Sequence, residues 1–172
     1  EPRLLELHID KEAIDQAFKE LTGGLSDLDR DQLAKTAAKI AVLVKSPERI
    51  QKICSDIARH YQEKVAPGGF GAQVVTFDRE GCMLYKKALD EYLPLEVSDI
   101  VMTVNSGEDE YASCRRERDA EERLLDRFRD PVDPLKILIV TSKLLTGFDA
   151  PILQAMYLDK PLRDHTLLQA IC

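Results

Sequence analysis

At 172 residues, 44% of them apolar, the chain has the size of one ordinary domain and enough apolar side chain to build a core. No apolar run approaches the roughly 20 residues that span a bilayer, and Glu1-Pro2-Arg3 lacks the basic-then-apolar start of a secretory signal, so a cytoplasmic setting is expected. The net charge of -7 has the wrong sign for wrapping nucleic acid by bulk electrostatics, and any contact with DNA must therefore be local.

The first third predicts helices. Asp10 is placed to cap a helix whose apolar face is Ile14, Ala17, Phe18 and Leu21, and Gly23-Gly24 ends it with the left-handed conformation that glycine takes readily. Leu33, Ala37, Ile40, Ala41 and Val44 repeat at helical spacing in a second helix. Ser46-Pro47-Glu48 then reads as a helix start, with a hydroxyl cap, a proline in the first turn and an acid against the dipole, and Ile50, Ile53, Ile57 and Tyr61 line one face of the third helix.

At Ala66-Pro67-Gly68-Gly69 the composition changes. Short apolar runs separated by helical stretches follow, the pattern of a parallel sheet with crossover helices, so the expected organisation is a helical lead-in over 1–65 and an α/β domain over 66–172. Buried strands are predicted at Ala72 to Phe77, Asp99 to Val104, Leu135 to Thr141 and Gln154 to Leu158. Arg79 to Leu93 reads as an amphipathic helix through Met83, Leu84, Ala88 and Leu89.

Glu108 to Asp130 mixes both charge signs densely and reads as a solvated helical face docked through Leu124, Leu125 and Phe128. Acids interleave with Arg115, Arg116 and Arg118, so a nucleic-acid role for these arginines is not required. Cys54, Cys82, Cys114 and Cys172 lack C-x-x-C pairing, and His8, His60 and His165 are scattered, so free thiols and no protein-ligated metal are expected.

Three segments carry candidate chemistry. In Gln73-Val74-Val75-Thr76-Phe77-Asp78-Arg79-Glu80 a strand ends in polar residues and enters a helix, which puts Thr76 and Asp78 at the carboxyl edge where α/β sheets meet ligands. A plain turn, with Asp78 as helix cap, explains the same residues. Lys136 to Val140 is a strand that opens into Thr141-Ser142-Lys143; Leu144-Leu145 return to the core, and Thr146-Gly147-Phe148-Asp149-Ala150-Pro151 makes a tight loop. Hydroxyls at one end of this loop and a carboxylate at the other suit two ligands, a DNA phosphate and a nucleotide; the alternative is an ordinary strand and loop with Asp149 capping the next turn. Arg163-Asp164-His165-Thr166-Leu167-Leu168-Gln169-Ala170-Ile171-Cys172 is a helix with Leu167, Leu168 and Ile171 on one face and Gln169 projecting.

The order T-F-D-R-E, I-L-I-V-T-S-K-L-L-T-G-F-D-A-P and H-T-L-L-Q-A-I resembles motifs IV, V and VI of superfamily-two helicases. The wording of the last two is similar to the restriction (R) subunit of type I restriction-modification enzymes, over residues 47 to 172. The resemblance implies a RecA-like, P-loop NTPase-type α/β fold with a mostly parallel sheet flanked by helices and preceded by a helical segment. It implies the second motor domain of an ATP-dependent DNA translocase, part of a type I site-specific deoxyribonuclease, with ATP and Mg²⁺ held mainly by a first motor domain of the same protein. Double-stranded DNA and the methyltransferase (M) and specificity (S) subunits are the implied partners. By matching position, Thr76, Thr141, Ser142 and Lys143 fall on the DNA side and Gly147, Asp149 and Gln169 on the nucleotide side.

Two departures qualify this expectation. The chain reaches Cys172 before the arginines that continue motif VI and reach a γ-phosphate, and it holds neither a G-x-x-x-x-G-K-[ST] loop nor a nuclease-type acidic cluster. The stretch alone is therefore expected to be inactive. The alternatives are a domain of another superfamily-two enzyme, of the type III restriction or repair kind, and a non-catalytic protein-binding module docking through 108–130.

Overall fold

The structure, a computed structural model, describes residues 42–145 and 147–159. The helices expected before residue 42 and the Arg163 to Cys172 segment, with Gln169, lie outside the described residues. The chain forms two compact units, Glu1–Ile53 and Cys54–Cys172.

In the first unit, residues 42–44 are helical and Val44 is buried, its carbonyl accepting a hydrogen bond from Arg49 Nη1 at 3.0 Å. Helix α1, Pro47–His60, begins where Ser46-Pro47 places it, and Ser46 O receives the first main-chain bond from Ile50 N at 3.0 Å. Ile50, Ile53, Ile57 and Tyr61 are all buried, as the periodicity requires.

The helical path does not stop at His60. It widens into a π-helical turn, Tyr61–Val65, and then tightens into a 3₁₀ turn, Ala66–Gly68, with Tyr61 and Val65 buried. Gly69, at φ 73°, then ends the run in the left-handed conformation that favours glycine. The Pro-Gly-Gly stretch thus terminates one continuous helical segment, and the second unit continues beyond it.

That unit is a four-stranded, all-parallel sheet: β1 Gly71–Val75, β2 Ser98–Val101, β3 Ile137–Val140 and β4 Leu153–Leu158, in the order β2-β3-β1-β4. Val75 pairs with Val140 across β1 and β3, and Val101 pairs with Val140 on the other side. Helix α2, Arg79–Leu89, follows β1, and helix α3, Arg118–Arg129, follows β2. Every residue of β1 and of β3 is buried, the signature of central strands covered on both faces.

Two expected helices are shorter than the sequence suggested. The α2 helix stops at Leu89, and its buried face runs through Cys82, Tyr85, Ala88 and Leu89, with Met83 and Leu84 only half-buried. In the charged segment only Arg118–Arg129 is α-helical; Asp109–Cys114 is a 3₁₀ turn. Not all of its charges are simply solvated, since Arg116 donates to Ile100 O at 2.6 Å and to Asp99 Oδ1 at 2.7 Å, covering a carbonyl of the edge strand β2.

The loops leaving β1 and β3 turn to opposite faces. Thr76 touches Cys82 of α2, whereas Val75 and Val140 share one apolar cluster with Leu124, Leu125 and Phe128 of α3. Neighbouring residues of a strand point to opposite faces, so α2 and α3 sandwich the sheet and the two exits part at its carboxyl edge.

Candidate functional site

The β3 exit is anchored by its apolar residues. Leu145 and Ala150 are buried in the cluster beneath α3, with Leu144 and Phe148 packed against it. Leu145 N donates to Ser142 O at 3.4 Å, closing a turn in which Leu144 has φ 66°. Gly147 has φ 69°, and no atom lies within 4 Å of where a Cβ would stand, so glycine serves the backbone conformation here rather than a close approach. With the apolar members turned in, Ser142, Gly147 and Asp149 are exposed and Thr141 and Lys143 half-exposed.

Five contacts hold the loop in place. Lys143 Nζ pairs with Glu121 Oε2 of α3 at 2.7 Å, and Arg129 Nε donates to Asp149 O at 3.4 Å. The Arg129 guanidinium sits 5.4 Å from the centroid of the Phe148 ring, and Phe148 lies 6.0 Å from Phe128. From below, Gln73 Nε2 donates to Leu144 O at 3.4 Å. The Asp149 carboxylate makes no hydrogen bond among the described residues.

The β1 exit is built differently. Thr76 is fully buried, and its hydroxyl donates to Asp78 O at 3.0 Å, with Cys82 Sγ at 3.1 Å and Val140 O at 3.4 Å. Asp78 caps α2, its Oδ1 accepting from Gly81 N at 2.8 Å. Thr76, expected on the DNA side, is here a hydroxyl enclosed by its own turn and by the next strand. The helix-cap reading of Asp78 is the one found.

Beside this exit, Arg79 grips Glu108 through two hydrogen bonds of 2.7 and 2.8 Å and stacks 4.7 Å from the centroid of the Tyr111 ring. Asn105 N adds a third bond to the same carboxylate at 2.6 Å. The Arg79 guanidinium foremost, then that main-chain donor, holds the Glu108 carboxyl down at about 2. This clasp ties the start of α2 to the loop beyond β2.

Burial pushes the Cys54 thiol up to about 12 and the Cys82 thiol up to about 11, so neither is a nucleophile at neutral pH. Cys54, Cys82 and Cys114 are free and buried. Among the described residues no group of three or more His, Cys, Asp or Glu side chains is arranged to hold a metal ion. No helix among them is long and apolar enough to cross a membrane.

Of the residues singled out from sequence, Thr141, Ser142, Lys143, Gly147 and Asp149 share one loop, Thr76 lies beneath the neighbouring exit, and Gln169 lies outside the described residues. Sequence reasoning missed Gln73, Glu121 and Arg129 as supports of that loop. A glutamine inside an apolar strand was the available signal for the first; the other two stood among interchangeable charges.

A parallel sheet sandwiched by helices, with polar loops leaving its carboxyl edge, defines an α/β domain of the RecA-like class. Residues 77–172 match the family described as type I restriction enzyme subunit R domain 3, and the chain belongs to the type I restriction enzyme R subunit family. It is 36% identical over 189 aligned positions to a chain of Methanocaldococcus jannaschii named as the type I restriction enzyme MjaVIIP endonuclease subunit, covering 97% of this chain and 18% of that one. It is 34% identical over 141 positions to the type I restriction enzyme HindI endonuclease subunit of Haemophilus influenzae, covering 75% of this chain and 13% of that one. The chain thus spans less than a fifth of the length of these curated relatives.

Proposed function

We propose that this stretch is the second motor domain of an ATP-dependent DNA translocase within a type I restriction endonuclease, gripping duplex DNA and reporting the state of a nucleotide held by a first motor domain. The observation that carries the reading is the β3 exit, where hydroxyls and the Glu121-paired ammonium of Lys143 at one end of a pinned loop are separated by the buried Leu145 from the exposed Asp149 at the other. In use, ATP with Mg²⁺ supplies the free energy of movement.

The chain's own residues have positional tasks. Thr141 and Ser142 offer hydroxyls, and Lys143 a charge, to a phosphate backbone, contacts that set grip without reading sequence. Gly147 and Asp149, side by side and exposed, suit a half-site that meets a nucleotide bound elsewhere, and Gln169 would join them. Thr76 contributes by holding the β1 exit rather than by touching DNA. The M and S subunits are the expected companions, with recognition of the DNA site left to the latter.

The test is ATP turnover by the full-length R subunit with and without DNA. Hydrogen bonds to charged groups contribute about 1.5–3 kcal/mol, so Thr141→Ala is expected to cut DNA stimulation roughly tenfold or more. Asp149→Ala is expected to lower basal turnover. Unchanged rates in both variants would sink the assignment.

A further inference from the structure

Gln73 is 1% exposed in the middle of β1, opposite Leu138 of β3 and Met156 of β4. It shares a sheet face with Val75, the face that carries the apolar cluster under the β3 exit. Its Nε2 reaches Leu144 O at 3.4 Å across 71 residues of sequence, while its Oε1 finds no partner among the described residues. The amide orientation follows from its contact: reversing it would set one acceptor against another.

A buried amide with one idle acceptor weakens a core, and an apolar side chain of the same shape would serve stability at least as well. Packing therefore does not account for glutamine here. The loop does. Leu144, at φ 66°, is the non-glycine residue in the left-handed region among those described, a conformation that persists only where surroundings hold it. Leu145 grips the turn from the core and Lys143 is tied to Glu121, but the carbonyl of Leu144 itself is held by Gln73.

We propose that Gln73 is the positioning residue of this loop: by fixing the left-handed turn at Leu144 it sets the spacing between Thr141 to Lys143 on one side and Gly147 to Asp149 on the other. A side chain rooted in the central sheet thereby transmits the position of β1 to both ends of the loop. The inference rests on the reading of that loop as the element that meets DNA and nucleotide.

The experiment uses Gln73→Met and Gln73→Glu in the full-length R subunit, with two measurements: hydrogen exchange resolved over 141–149, and DNA-stimulated ATP turnover. The methionine variant keeps length and loses the donor. Its unfolding temperature and the protection of β1 and β3 amides are expected to hold, while exchange in 141–149 accelerates roughly three- to tenfold, as the loss of one neutral hydrogen bond predicts. The DNA concentration for half-stimulation rises several-fold, with turnover at saturating DNA kept within about twofold.

The glutamate variant carries a buried acid that donates to Leu144 O only when protonated, so its half-stimulation is expected to acquire a pH dependence that the parent lacks, approaching the parent at low pH. Unchanged loop exchange in the methionine variant overturns the proposal, and so does loss of protection spread evenly over the sheet. Faster loop exchange with unaltered DNA response leaves the positioning role standing and overturns the functional reading of the loop.

Discussion

β1 and β3 lie side by side, and each is followed directly by a threonine and further polar residues, yet the two exits use those groups in opposite ways. After β1, Thr76 bonds inward to Asp78 O and Asp78 caps its own helix, so the polar atoms are consumed in making the turn into α2. After β3, the apolar members of the loop are consumed instead: Leu145 and Ala150 sink beneath α3, and Ser142 and Asp149 are left outside. One exit is a joint and the other is a platform. A strand that feeds a helix at once must satisfy that helix's free amides, whereas a strand that feeds a loop need only anchor it.

The largest expected effect tests the floor of the platform. Phe128 is fully buried and meets Phe148, so Phe128→Ala is expected to cost about 3–5 kcal/mol in chemical denaturation. A loss below about 1 kcal/mol would mean that the loop is not packed as described.

A matched pair addresses the comparison itself. Thr76→Val removes a buried hydroxyl and strands its partners, at about 1–2 kcal/mol, while Thr141→Val at a half-exposed position stays within about 0.5 kcal/mol. The reverse order would show that the joint and the platform had been exchanged.

The smallest effect concerns the clasp beside the joint. The native Glu108 carboxyl sits at about 2 against an ordinary 4.5, so it binds its proton less readily folded than unfolded. Its contribution is complete above pH 4.5 and is lost as pH falls from there toward 2. A carboxyl-resolved NMR titration with a midpoint near the ordinary value would remove the clasp, and both groups are exposed enough that global stability should move little.

Much of this molecule is legible in its residues. The start of α1 at Ser46-Pro47, the four strands to within a few residues, and the candidate loop with its polar ends follow from local rules of capping, apolar runs and turn chemistry. Local rules also allowed two readings of Asp78 and could not choose between them, because a cap and a ligand-facing carboxylate need the same side chain at the same strand end. The choice fell to Gly81, whose amide lies 2.8 Å away.

The order β2-β3-β1-β4 depends on which strand inserts between which, a matter of crossover geometry that no single segment encodes. From that order come the burial of Thr76 against β3, the pairing of Lys143 with Glu121, and the reach of Gln73 to Leu144. The sequence by itself determined which residue types stand at each strand end and hence the chemistry on offer. Only the tertiary structure decided which of those groups are spent inward and which face outward, because a side chain's partners are set by the neighbours that packing brings to it.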